Sequence, residues 1–103
     1  MIYKTVFTEQ AEKMLDCIVN YLLNTLENVQ AANHFLNETN NLIQRLEDNP
    51  YQFPVCKDTF LFKKGYREAL INKMNYIIIF KIENELVYIL GIFHQLENYK
   101  VYL

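Results

Sequence analysis

The chain has 103 residues, 51% apolar and 15% aromatic, with ten Lys and Arg against twelve Asp and Glu and a net charge of −2. That balance excludes an intrinsically disordered chain, which would be less apolar and more charged, and it fits one domain spanning residues 1–103. It also argues against a general polyanion binder, whose surface is strongly basic.

Taken in chain order, Ile2 to Phe7 is short, β-branched and aromatic, and predicts a strand. Thr8 can cap a following helix, with Glu9 and Glu12 near the positive end of its dipole. Ala11, Met14, Leu15, Ile18, Leu22 and Leu26 recur at three- and four-residue spacing, which predicts an amphipathic helix over 8–25. Asn24, Thr25 and Asn28 mark a break. Asn28 can cap a second helix over 29–48, with Ala32, Phe35, Leu36, Leu42, Ile43 and Leu46 as its apolar stripe and Thr39 in the gap. Asp48-Asn49-Pro50 ends it, because the residue before Pro leaves the α region. Two long helices with a short link predict an antiparallel αα-hairpin.

Residues 49–60 read as irregular, with Tyr51 and Phe53 expected to tuck under the domain. The period then changes. Phe60–Phe62 and Tyr66–Ile71 read as strands, with Gly65 as a bulge between them. Asn72–Asn75 is a turn. Tyr76–Ile82 is a nearly unbroken β-branched run, expected of a strand covered on both faces. Glu83-Asn84-Glu85 is a second turn and Leu86–Phe93 a second buried strand. The tail from His94 to Leu103 has no assigned state. The order is β-α-α-β-β-β. It predicts an α+β domain in which an antiparallel meander pairs with the first strand and a two-helix hairpin covers one sheet face.

The longest apolar run, Leu86–Phe93, has eight residues, well short of the ~18–20 that a spanning helix needs. No membrane partner is expected. The N-terminal segment lacks a secretory signal, so a cytoplasmic location is expected. Cys17 and Cys56 are too few for a disulfide framework and have no metal-ligand spacing, so both read as reduced thiols. The charge is unevenly spread. Residues 1–50 carry three cations against seven anions, whereas residues 51–103 carry seven against five. Within 57–73 the balance is five to two. A modest basic face there can hold a few phosphates, or the lysines can simply blunt a sheet edge.

The chain resembles the RelE/ParE superfamily of bacterial type II toxin–antitoxin systems. The residues that carry the likeness are Leu46-x-x-x-Pro50, Tyr66-Arg67-Glu68-Ala69-Leu70, Tyr76-Ile77-Ile78-Ile79-Phe80, Val87 through His94, and Glu97-Asn98-Tyr99. The resemblance implies a growth-inhibiting toxin neutralised by a cognate antitoxin. RelE-like members cleave mRNA on the ribosome, ParE-like members poison DNA gyrase without nuclease chemistry, and some relatives show no clear toxicity.

Metal-free RNA cleavage needs a base for the 2′-hydroxyl, cations for the phosphorane and an acid for the leaving oxygen. No metal or cofactor is called for. Arg67 falls where the family has a strand arginine, and its fork suits two phosphate oxygens. Lys63 and Lys64 can bind the phosphate or, if desolvated, act as base. His94 is the candidate general acid, and Tyr99 can orient a base or a phosphate. The expectation is therefore a toxin that cleaves ribosome-bound mRNA through Arg67, His94 and Tyr99, with substrate held by Lys63 and Lys64. The alternatives are a non-enzymatic inhibitor of DNA gyrase and a non-toxic binding module. Glu68 alternates to the face opposite Arg67. His34 lies off the apolar stripe and reads as a surface residue.

Overall fold

The computed structural model describes residues 2–71 and 73–103. The elements are β1 (Lys4–Phe7), α1 (Glu9–Asn20), α2 (Val29–Asp48), α3 (Thr59–Lys63), β2 (Arg67–Leu70), β3 (Tyr76–Glu83) and β4 (Leu86–His94). The strands form one mixed sheet in the order β1-β4-β3-β2. The last three make the expected antiparallel meander, and β1 joins β4 in parallel. No hairpin fixes the direction of β1, because nearly the whole chain separates it from its partner.

The helices start where their caps stand. The Thr8 hydroxyl accepts from the Ala11 amide at 3.1 Å, and the Asn28 side chain accepts from the Ala31 amide at 3.0 Å. The predicted first helix does not run evenly to 25. After Asn20 it widens into one π-helical turn, Tyr21–Thr25. Asn49, just before Pro50, is extended at φ −157°, as a pre-proline residue must be.

The helical hairpin covers one face of the sheet. Ala11, Leu22, Phe35, Leu42 and Leu46 pack there on Ile78, Phe80, Val87 and Ile89. On the other face Ile77, Ile79 and Phe93 meet Cys56 and Leu61. The run Tyr76–Ile82 is thus apolar at nearly every position because β3 is buried on both sides. Each fully buried Phe or Ile contributes about 1.5–3 kcal/mol.

A bulge in β4 ties the sheet to α1. Ile79 pairs with Gly91 and Phe80 with Ile89, so Leu90 is skipped. Its freed carbonyl accepts from the Gln10 side-chain amide at 3.1 Å and more loosely from the Thr8 hydroxyl at 3.4 Å. Gly91 is required next to this bulge. A Cβ there would stand 2.4 Å from the Phe93 ring and 3.3 Å from the Met14 sulfur.

Three expectations are corrected between residues 51 and 66. Phe60–Phe62 is not a strand but lies in the short helix α3, capped by the Asp58 carboxylate on the Leu61 amide at 3.1 Å. Only Leu61 of that trio is buried, so the apparent alternation is one helical side facing in. Gly65 is not a bulge. It sits at φ +77°, and bonds from Gly65 N to Phe62 O and from Tyr66 N to Leu61 O close α3 as a Schellman motif. Phe53 does tuck under the domain, edge-on to Phe80 at 6.1 Å, but Tyr51 is 55% exposed.

Asn72 of the predicted Asn72–Asn75 turn lies outside the described residues. The Glu83–Glu85 turn is present, with Asn84 at φ 57°, a conformation Asn tolerates. The tail forms a 3-10 turn, Tyr99–Tyr102, whose Tyr99 and Tyr102 rings lie against Phe93 at 5.3 and 5.7 Å.

Candidate functional site

The expected site residues are dispersed around the sheet. Arg67 opens β2 opposite Phe80, on the face that the helices cover. Its Nη1 donates to the Phe53 carbonyl at 2.6 Å, and its guanidinium lies 5.0 Å from the centre of the Tyr51 ring. Glu68 lies on the other face, where its carboxylate accepts from the Lys57 amide at 3.2 Å.

Lys63 and Lys64 close α3. Lys63 is exposed. Lys64 donates to the Leu103 carbonyl, and its ammonium sits over the Phe60 and Tyr66 rings at 4.5 and 5.6 Å. Tyr99 packs with this group, stacked on Phe93 and half-buried. Burial raises its phenol pKa, and the nearby carboxylates of Glu68 and Asp58 add to the rise.

His94 ends β4 opposite Tyr76, with their rings edge to face at 5.7 Å. Its Nδ1 accepts from the Leu96 amide at 3.2 Å. In the neutral ring the proton is therefore on Nε2. His94 lines an open groove of about 660 Å³ between α1, β4 and the tail, together with Met14, Cys17, Ile18, Tyr76 and Tyr102.

The fold thus places Lys64 and Tyr99 around the cluster on the outer sheet face, with Tyr66 and Leu103, but sets Arg67 on the helix-covered face. Arg67 and His94 are opposite β3 residues four positions apart, Phe80 and Tyr76, on different sides of that strand. At ~3.3 Å per residue and ~4.8 Å per strand, their backbones are roughly 16 Å apart. Arg67 is turned to the Phe53 carbonyl and His94 to the Leu96 amide, so neither is aimed at a shared phosphate in this arrangement.

A different cluster surrounds Arg67. The chain has two arginines, and both are held by the turn at residues 51–53. The Arg45 guanidinium lies 4.8 Å from the Phe53 ring centre and donates to the Gln52 side-chain oxygen at 3.1 Å. The Gln52 amide in turn donates to the Arg45 and Asn49 carbonyls. Among the described residues no carboxylate pairs with either arginine. Sequence reasoning treated Arg45 only as a helix charge. The available signal was that it stands seven residues before Gln52, across the Pro50 corner.

Cys56 is buried, and burial pushes its thiol up to about 12, with Glu68 and Asp58 adding to the shift. Cys17 is exposed. His34 is half-buried on α2 rather than fully on the surface. Among the described residues no group of three or more His, Cys, Asp or Glu is placed to hold a metal, and no helix is long and apolar enough to cross a membrane.

Residues 5–99 match the family model described as the ParE toxin of the type II toxin–antitoxin system parDE. The chain belongs to the ParE toxin family. The fold of this ParE-family chain is also that of a solved structure titled "Chromosomal ParDE TA system from P. aeruginosa". The two superpose with a TM-score of 0.73 at 16% identity, over 90% of this chain and 96% of the other. No curated protein sequence matches this one. The toxin-superfamily resemblance and the α+β architecture seen in the sequence are therefore both upheld, and within the superfamily the match lies on the ParE side.

Proposed function

We propose that this chain is the toxin of a type II toxin–antitoxin pair, neutralised by a cognate antitoxin, and that it acts by binding DNA gyrase rather than by cutting RNA. The observation that carries this reading is the dispersal of Arg67, His94 and Tyr99 around the sheet. General acid catalysis needs the acid within hydrogen-bond reach of the leaving oxygen while the cations hold the same phosphate. With roughly 16 Å between the Arg67 and His94 backbones, the ribosomal mRNA-cleavage reading has the weaker support. A binding mechanism has no such requirement. It needs an exposed surface, and the hairpin tip offers one in Tyr21, Leu23, Leu26 and Val29. The family assignment supports the toxin role, and a cytoplasmic location suits either target.

The test is induced expression of the chain and of an Arg67→Ala/His94→Ala variant, with messenger integrity and DNA damage read separately. Gyrase inhibition predicts an SOS-type response, intact transcripts and toxicity that largely survives the double substitution. Cleaved transcripts that vanish in the variant would instead establish the nuclease.

A further inference from the structure

The two arginines packed against the 51–53 turn have neutral and aromatic partners. Structural arginines of this kind normally meet a carboxylate. Among the described residues no carboxylate does so here, and each donates to a neutral oxygen, of Gln52 for Arg45 and of Phe53 for Arg67. Each planar head is laid on an aromatic ring, Phe53 or Tyr51. Stacking fixes the fork before a ligand arrives, so less side-chain freedom is lost on binding. Arg45 is exposed, Arg67 is half-buried, and the Tyr51 ring beside Arg67 is 55% exposed.

The geometry points to a two-arginine clamp, formed by Arg45 and Arg67 around the Tyr51–Phe53 turn, that receives carboxylates from an acidic segment of the antitoxin. The inference rests on the antitoxin partnership proposed above, and is independent of the toxin's target.

Two features favour an acidic peptide over a phosphate backbone. The first is charge. Glu38 lines the same cleft as Arg45, and the whole chain is at −2. A nucleic acid would run its continuous charge past that carboxylate, whereas a peptide can place only one or two charges at the clamp. Long-range attraction of a polyanion is absent for the same reason. The second is the adjoining cleft of about 680 Å³, mostly polar, where Leu70 and Met74 stand among Glu38, Asn41, Arg45, Lys73 and Gln95. Leu70 there is 56% exposed. An exposed leucine beside Arg45 and Lys73 suits a peptide that sets an aliphatic side chain next to its carboxylates, which a nucleic-acid backbone does not offer. Arginine forks and aromatic rings at such a place are the usual energetic centre of a protein interface.

The test uses the full chain and the product of the reading frame adjoining its gene, with affinity measured by calorimetry. Arg45→Lys and Arg67→Lys keep the charge and remove the fork. Each is expected to weaken binding by about 10-fold, because Lys keeps the charge but loses the planar fork and its seat on the ring. Folding of each variant is checked by its melting temperature. Arg45 is exposed, so Arg45→Glu keeps the test decisive even if the Arg67 variants unfold, and it should weaken binding more than Arg45→Lys. Wild-type binding that is unchanged in all folded variants overturns the clamp and leaves the antitoxin partnership standing. If the adjoining product does not bind the wild-type chain, the partnership fails and the clamp with it. A single-stranded RNA 12-mer is the second probe. Arginine-dependent binding of that RNA, tighter than binding of the protein partner, would overturn the choice of an acidic peptide.

Discussion

Replacing Glu47 by Ala probes a contact that the helix alone would disfavour. Glu47 stands in the last turn of α2, where a negative charge faces the negative end of the helix dipole and costs about 0.3–1 kcal/mol. The tertiary fold reverses that sign. One Glu47 carboxylate oxygen accepts from the Thr5 amide at 3.0 Å and from the Thr5 hydroxyl at 2.8 Å, and the Glu47 carbonyl accepts from the Tyr3 amide at 3.2 Å. These bonds tie the outer edge of β1, an edge strand, to the end of α2. Hydrogen bonds to a charged acceptor contribute about 1.5–3 kcal/mol each when well shielded. This carboxylate is only half-buried, and its loss relieves the dipole, so Glu47→Ala is expected to cost about 2 kcal/mol. For a domain of this size that lowers the melting temperature by about 10 °C. Urea and thermal unfolding at pH 7 measure it, and Thr5→Val in a double-mutant cycle isolates the hydroxyl share.

The same contact sets a pH dependence. The bond from the Thr5 amide first, and from its hydroxyl second, holds the Glu47 carboxyl below the usual glutamate range. A depressed carboxyl stabilises the fold fully above its unfolded pKa of about 4.3 and loses that stabilisation as the pH falls through the lower folded value. The gap between wild type and Glu47→Ala should therefore be constant from neutral pH down to about 5 and shrink below about 4. A cost under about 0.5 kcal/mol at pH 7, or a gap that does not shrink toward pH 2, refutes the reasoning.

Two further outcomes follow from buried groups. Thr39 is 3% exposed and its hydroxyl has no partner among the described residues. Thr39→Val keeps the shape and removes the unmet hydrogen bond, so it should raise stability by about 1 kcal/mol in urea unfolding; a loss of stability would mean that the hydroxyl is satisfied in solution. In the native chain at pH 8, a disulfide reagent should modify exposed Cys17 at once, whereas Cys56, buried and with its thiol pushed up to about 12, should react only on unfolding. Two fast thiols would contradict the packing of Cys56 under the sheet.

The long elements were legible in the sequence because their signals are local. Thr8 and Asn28 capped the helices where expected, and the β-branched run at Tyr76–Ile82 became a strand buried on both faces. The misread stretch was Phe60–Gly65. Three apolar residues between Asp58 and Gly65 fit a strand as well as a helix by periodicity alone. What decides is which of them reaches the core, and of the three only Leu61 is buried, against Cys56, Ile77 and Phe93.

For function, the sequence by itself determined the inventory and its family order: two arginines, two histidines, a basic second half and the β-α-α-β-β-β plan. It could not place Arg67 relative to His94, because strand register and sheet order depend on long-range pairing rather than on neighbours in the chain. The tertiary structure decided that β3 lies between them, four residues of register apart. It also decided that Arg45 and Arg67, twenty-two positions apart in sequence, share one turn. The net charge of −2 excludes only long-range attraction of a polyanion. The two guanidinium groups are held on aromatic rings with no carboxylate partner among the described residues, and only the packing of α2 and β2 against residues 51–53 creates that arrangement.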